Sequence, residues 1–131
     1  MKLLLDTHIL LWAASTPHKL SPKMRALIED ENNELFFSAA SLWEIVIKNR
    51  LGRSDFVVDP RVFRTALMDH GYQEIAINSE HVLMVHDLPP IHKDPFDRIL
   101  VAQGSIEGMG LLTVDQMVID YGGTVIVDED E

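Results

Sequence analysis

The chain has 131 residues, 47% of them apolar, with 21 acids against 11 bases for a formal net charge of -10, and it contains no cysteine. That length suits one domain able to bury roughly two thirds of its unfolded surface around a single core. The acidic surplus argues against broad electrostatic attachment to nucleic acid, and the missing thiols exclude a disulfide framework and thiolate chemistry.

Apolar runs such as Ile9 to Ala14 fall far short of the roughly 20 residues that cross a bilayer, so no membrane segment is expected. Met1-Lys2 leads straight into a strand-like run, so no secretory segment is expected either, and a cytoplasmic setting is the natural one.

Leu3-Leu4-Leu5 is the pattern of a strand buried on both faces, and it stops sharply at Asp6-Thr7. Ile9 to Ala14 reads as a short helix that Asp6 or Thr7 can cap and Ser15-Thr16-Pro17 breaks. Ser21-Pro22 opens a second helix with a stripe of Met24, Leu27 and Ile28, fading at Asp30 to Asn33.

Glu34 to Ser38 is the next strand. Ser38 or Ser41 can cap a helix running through Leu42 to Lys48, with Glu44 among large apolar neighbours and Gly52 at its close. A loop with Asp55 follows, and Asp59-Pro60 starts a helix that reaches Gly71.

Gln73 to Ile77 gives a short strand, Asn78 or Ser79 caps a small helix, and Leu88-Pro89-Pro90 is a rigid connector. Asp94 is the natural cap before Pro95, with Asp97 in the first turn of a helix whose Ile99, Leu100, Val101 and Ala102 cover most of its circumference. Leu111 to Val114 is a strand ending at Asp115, Thr124 to Val127 a last strand, and Asp128 to Glu131 a solvated acidic tail. Strands alternating with helices predict an α/β fold: a central parallel sheet of four to five strands with helices on both faces, in one domain over 1–131.

In such a sheet, ligands gather beyond the carboxyl ends of the strands, where strand order reverses. Asp6 and Asp115 follow strands directly, Glu44 lies about a turn into a helix after a strand, and Asp97 opens another helix. All four can project toward one edge. If they meet, like charges 4 Å apart repel by about 4 kcal/mol at an effective dielectric of 20, so protonation or a divalent cation must relieve them. Carboxylates without a His or Cys cluster suit Mg²⁺ or Mn²⁺ better than zinc, and a metal-bound water is a nucleophile for phosphodiester hydrolysis.

From Leu3 to about Val127 the chain resembles the PIN-domain proteins, specifically the VapC-type ribonuclease toxins of toxin-antitoxin pairs. The resemblance rests on Leu4-Leu5-Asp6-Thr7-His8, Ser38-Ala39-Ala40-Ser41-Leu42-Trp43-Glu44-Ile45, Asp94 through Gln103, and Thr113-Val114-Asp115. It implies a PIN-like fold in which Asp6, Glu44, Asp97 and Asp115 bind one or two Mg²⁺ or Mn²⁺ ions and cleave RNA. It also implies a small antitoxin partner and a homodimer. Asp94 then falls to capping or to supporting the ligands. Where the family often has an aromatic residue a few positions after the last Asp, this chain has Met117-Val118-Ile119.

Plainer roles stand beside these. Asp6, Asp97 and Asp115 can each serve a helix end or turn, and Glu44 can pair with Lys48, which on an exposed helix contributes about 0.3 to 0.5 kcal/mol. His8 and His92 lie near the acids in sequence and can touch a phosphate or base, or be ordinary hydrogen-bonded histidines; no His pair has metal-ligand spacing. Thr7, Ser38, Thr113 and Arg98 are candidates to orient the carboxylates or contact phosphate, and Lys48, Arg50 and Arg53 to hold an RNA backbone or simply end a helix.

Two further function classes compete with the ribonuclease. One is a catalytically silent module that keeps the fold and binds protein. The other is a phosphorylated receiver or aspartyl phosphatase. The receiver needs paired acids after its first strand, and the phosphatase an Asp where this chain has His8.

Overall fold

A computed structural model describes residues 1–53 and 57–123 in full and the backbone of 125–127. The expected loop at Asp55, the Thr124 start of the last strand and the acidic tail at 128–131 lie outside the described residues. The strands are β1 (Lys2–Leu5), β2 (Glu34–Ser38), β3 (Gln73–Ile75), β4 (Gly110–Thr113) and β5 (Val125–Val127). Between them run α1 (Thr7–Ser15), α2 (Pro22–Glu29), α3 (Ala39–Arg50), α4 (Pro60–Asp69), α5 (Ser79–Asp87), α6 (Pro95–Glu107) and α7 (Gln116–Ile119), with a 3-10 turn at Pro17–Lys19.

All strand pairs are parallel, and the sheet order is β3-β2-β1-β4-β5. β1 sits in the middle because Leu3, Leu4 and Leu5 need cover on both faces, and all three are fully buried. Leu3 and Leu5 face one apolar layer with Ile9, Leu10, Met24, Phe37, Ile45, Phe63 and Leu67, from α1 to α4. Leu4 faces the other, with Phe36, Ile99, Leu100, Val101, Leu111 and Val118, mainly from α6 and α7. Alternating side chains along one strand therefore join two helical layers.

The helix starts follow the expected caps. Ser21 accepts from Met24 N–H, Ser38 from Ala40 N–H, Asp59 from Arg61 and Val62 N–H, and Asp94 from Phe96 N–H. Asn78 and His81 form a reciprocal capping box. Gly108 ends α6 in the left-handed conformation at φ 67°, which a side chain would strain.

The chain leaves β1 on one side to build β2 and β3, then crosses to build β4 on the other. β1 and β4 thus flank the point where strand order reverses. Their registered ends, Leu5 and Leu112, bring the segments carrying Asp6 and Asp115 side by side. The fold departs from expectation at several element ends. β3 ends at Ile75 rather than Ile77, β4 ends at Thr113 rather than Val114, and a four-residue helix, α7, follows Asp115 where only a turn was foreseen.

Candidate metal centre at the carboxyl edge of the sheet

Asp6 divides its two oxygens between two jobs. Oδ1 accepts from Ile9 N–H at 3.0 Å and caps α1, while Oδ2 accepts from the Thr113 hydroxyl at the end of β4. Asp115 does the same: Oδ1 accepts from Met117 N–H at 2.9 Å to cap α7, and Oδ2 lies 3.2 Å from His92 Nε2. The capping roles are real, and each leaves the second oxygen to a side chain, Thr113 for Asp6 and His92 for Asp115.

Asp97 is not a cap, because Asp94 holds that place in α6. Its Oδ2 lies 3.1 Å from the same His92 Nε2. His92 Nδ1 accepts from Asp94 N–H at 3.1 Å, so the ring proton is assigned to Nε2, between the two carboxylates. His92, Asp97 and Asp115 each place an atom within 4.8 Å of the others. With its proton on Nε2, His92 is a hydrogen-bond donor to the acids, and the oxygens are the ligands.

Glu44 is buried in α3. Thr7, one residue past Asp6, donates to Oε1 at 2.6 Å, and Lys48 one turn on meets Oε2 at 2.5 Å. The pairing with Lys48 is therefore present, but inside the protein rather than on a solvated face. Lys48 is engaged with Glu44, as the i,i+4 spacing allowed, and so is taken from the basic cluster considered for an RNA backbone.

The four acids influence one another through space. Burial pushes the Asp97 carboxyl up to about 8, and the charges of Asp94, Glu44, Asp6 and Asp115 push in the same direction. Burial likewise pushes Asp6 up to about 6, with Glu44 adding to the rise and Thr113, Ile9 N–H and His8 opposing it. Two carboxyls that resist ionisation mark a pocket short of positive charge.

The PIN domain family model matches residues 3–123. This chain belongs to the PIN domain family. No curated protein sequence matches it. Among solved structures, this PIN domain is similar to a chain of VapBC2 from Rickettsia felis bound to a DNA fragment from their promoter, at 15% identity over 97% of each chain with TM-score 0.66. It is similar to a chain of a toxin-antitoxin complex from Klebsiella pneumoniae, at 18% identity over 98% of this chain and 99% of that one, TM-score 0.68. A chain of VapBC-1 from nontypeable Haemophilus influenzae aligns at 16% identity over 92% of each, TM-score 0.64. At such identities the likeness is one of fold.

The donor set of this PIN domain fits a hard divalent cation. Oxygens of Asp97 and Asp115 meet with no sulfur or unprotonated imidazole nitrogen between them, Asp6 is close enough to raise Asp97 electrostatically, and the raised carboxyls would ionise once a cation stood nearby.

Other candidates play different parts. Ser38 caps α3, and Thr7 and Thr113 orient Glu44 and Asp6. Arg98 does not stand ready for phosphate: it donates to the carbonyls of Val85 at 2.7 Å and Pro89 at 3.1 Å and to the Tyr121 hydroxyl at 3.0 Å. That hydroxyl also accepts from His92 N–H at 3.0 Å. Tyr121 is the aromatic that seemed missing after Asp115, placed beyond α7 and packed against the second apolar layer. The signal was an aromatic two residues past the stretch considered.

Proposed function

We propose that this PIN domain is a divalent-metal-dependent endoribonuclease, the toxin of a toxin-antitoxin pair acting in the cytoplasm. The observation that carries the reading is the meeting of Asp97 and Asp115 at His92, with atoms of all three within 4.8 Å of one another, beside an Asp97 carboxyl pushed up to about 8 by burial and by the charges of Asp94, Glu44, Asp6 and Asp115. The VapBC and toxin-antitoxin complexes among its structural relatives support the toxin assignment. No helix of the described residues is long and apolar enough to cross a membrane.

Asp6, Asp97, Asp115 and Glu44 would hold Mg²⁺ or Mn²⁺. When bound, the ion supplies charge to the phosphate and lowers the pKa of water. Thr113 fixes one Asp6 oxygen, and Thr7 with Lys48 fixes Glu44. His92 holds Asp97 and Asp115 in a common orientation through one nitrogen. Unstacked, single-stranded RNA suits an edge cleft of this kind better than a duplex. The partners are a small antitoxin and a second copy of the chain.

The deciding experiment compares cleavage of a defined RNA by the native chain and Asp6→Asn, with Mg²⁺, with Mn²⁺ and with excess EDTA. Metal-dependent cleavage lost in the variant, leaving 5′-phosphate and 3′-hydroxyl ends, supports the reading. Activity that survives EDTA or the substitution, or products ending in 2′,3′-cyclic phosphate, overturns it. No metal-dependent cleavage by either chain favours the silent binding module, in which Asp6 and Asp115 only cap helices.

A further inference from the structure

Trp43 is 57% exposed, unusual for so large an apolar ring, and it adjoins Glu44 in α3. Its indole is nevertheless held in place. It packs on the buried Phe96 ring with centroids 5.1 Å apart and planes at 83°, and Phe96 is the neighbour of Asp97 in α6. Each ring of the pair is thus one residue from an acid of the pocket. A T-shaped contact occupies at most one face of the indole, and more than half of the residue's surface stays accessible.

The charge of the chain sharpens what that surface is for. A protein with 21 acids and 11 bases gains little general attraction for a polyanion, and Lys48 and Arg98 are already engaged within the fold. Stacking on an aromatic face does not depend on net charge, and every base has a face to offer. We propose that Trp43 is a stacking platform for an unpaired base of single-stranded RNA, next to the phosphate held at the acids. The proposal rests on the ribonuclease reading and names a positioning contact for its substrate. Phe96 sets the angle of the platform, so the base is received by a ring that does not have to be ordered first.

The test measures binding of a short single-stranded oligoribonucleotide in the Asp6→Asn background, so that affinity is read whether or not the chain cleaves RNA. Trp43→Phe keeps a ring, whereas Trp43→Leu keeps apolar bulk without one. Thermal unfolding of each variant is recorded, and sedimentation reports its oligomeric state. The expected result is a weakening of roughly 5- to 150-fold for Trp43→Leu, the range for one stacked base. Trp43→Phe should recover most of it, and the deficit should persist at high salt.

An oligonucleotide with an abasic nucleotide at the stacked position should bind the parent and Trp43→Leu alike. In the cleaving chain, the same substitution should act on KM much more than on kcat. Equal RNA binding by the parent and Trp43→Leu overturns the platform and leaves the ribonuclease reading intact. Conversion of a dimer to a monomer by Trp43→Leu also overturns it, making the ring a contact between copies. A parent that binds no RNA overturns the ribonuclease reading itself.

Discussion

Thr7 donates its hydroxyl proton to Glu44 Oε1 across 2.6 Å, and Ser41 Oγ lies 2.9 Å from the Thr7 hydroxyl oxygen. The bond ties the turn after β1 to α3, and it is wholly buried. Thr7→Val preserves shape but leaves a buried carboxylate oxygen without its donor, which should cost about 1–3 kcal/mol. Thr7→Ser should cost less. Urea unfolding of the three proteins would check this; equal midpoints would show that the contact has no net worth.

The raised carboxyls give the metal-free protein a pH signature. Asp97 and Asp6 ionise near 3.8 when unfolded but only near 8 and 6 when folded. The unfolded chain therefore loses these protons first as pH rises. Their contribution to stability is full below about pH 4 and lost progressively through 6 and 8. Asp97→Asn removes the larger part, so in EDTA the variant should gain in Tm relative to the native chain between pH 6 and 9. A constant difference across that window would contradict the assignment.

Cation binding should release protons for the same reason. At pH 7 Asp97 is mostly protonated and Asp6 mostly ionised, so Mg²⁺ should displace about one proton. Calorimetry in two buffers of different ionisation enthalpy measures the number. Asp97→Asn should bring it close to zero and weaken binding.

Arg98 and Tyr121 anchor the loop that carries His92. Arg98→Lys keeps the charge but not the fork that reaches Val85, Pro89 and Tyr121 together, so it should destabilise almost as much as Arg98→Ala, by about 1–3 kcal/mol. Tyr121→Phe should cost about 1 kcal/mol. Chemical denaturation distinguishes the two residues, and a lysine that fully replaces Arg98 would refute the clamp.

The helix starts were legible because capping is local: Ser21-Pro22, Asp59-Pro60 and Asp94-Pro95 each state their geometry within two residues. Asp6, Glu44, Asp97 and Asp115 could be named as candidates from sequence, but the neighbourhood of Asp6 and Asp115 depends on β1 lying beside β4, which no local pattern dictates. α7 escaped notice because four residues show no helical period. The i,i+4 pair of Glu44 and Lys48 could be read from spacing, whereas the work of Arg98 and Tyr121 is set by partners on other elements, which spacing could not disclose. His92 was noticed for its position in the chain, yet its bridging of two acids depends on the Asp94 amide turning one nitrogen away.

Thr113 and Asp6 stand 107 positions apart in the chain, yet the first secures the second. During translation β1 emerges early and waits, its central place in the sheet half filled, until β4 leaves the ribosome. A nascent or truncated chain ending before Thr113 lacks both the clamp on Asp6 and all of Asp115. The Asp6–Thr113 contact and the Asp115 end of the acidic edge thus come into being only after β4 has been made.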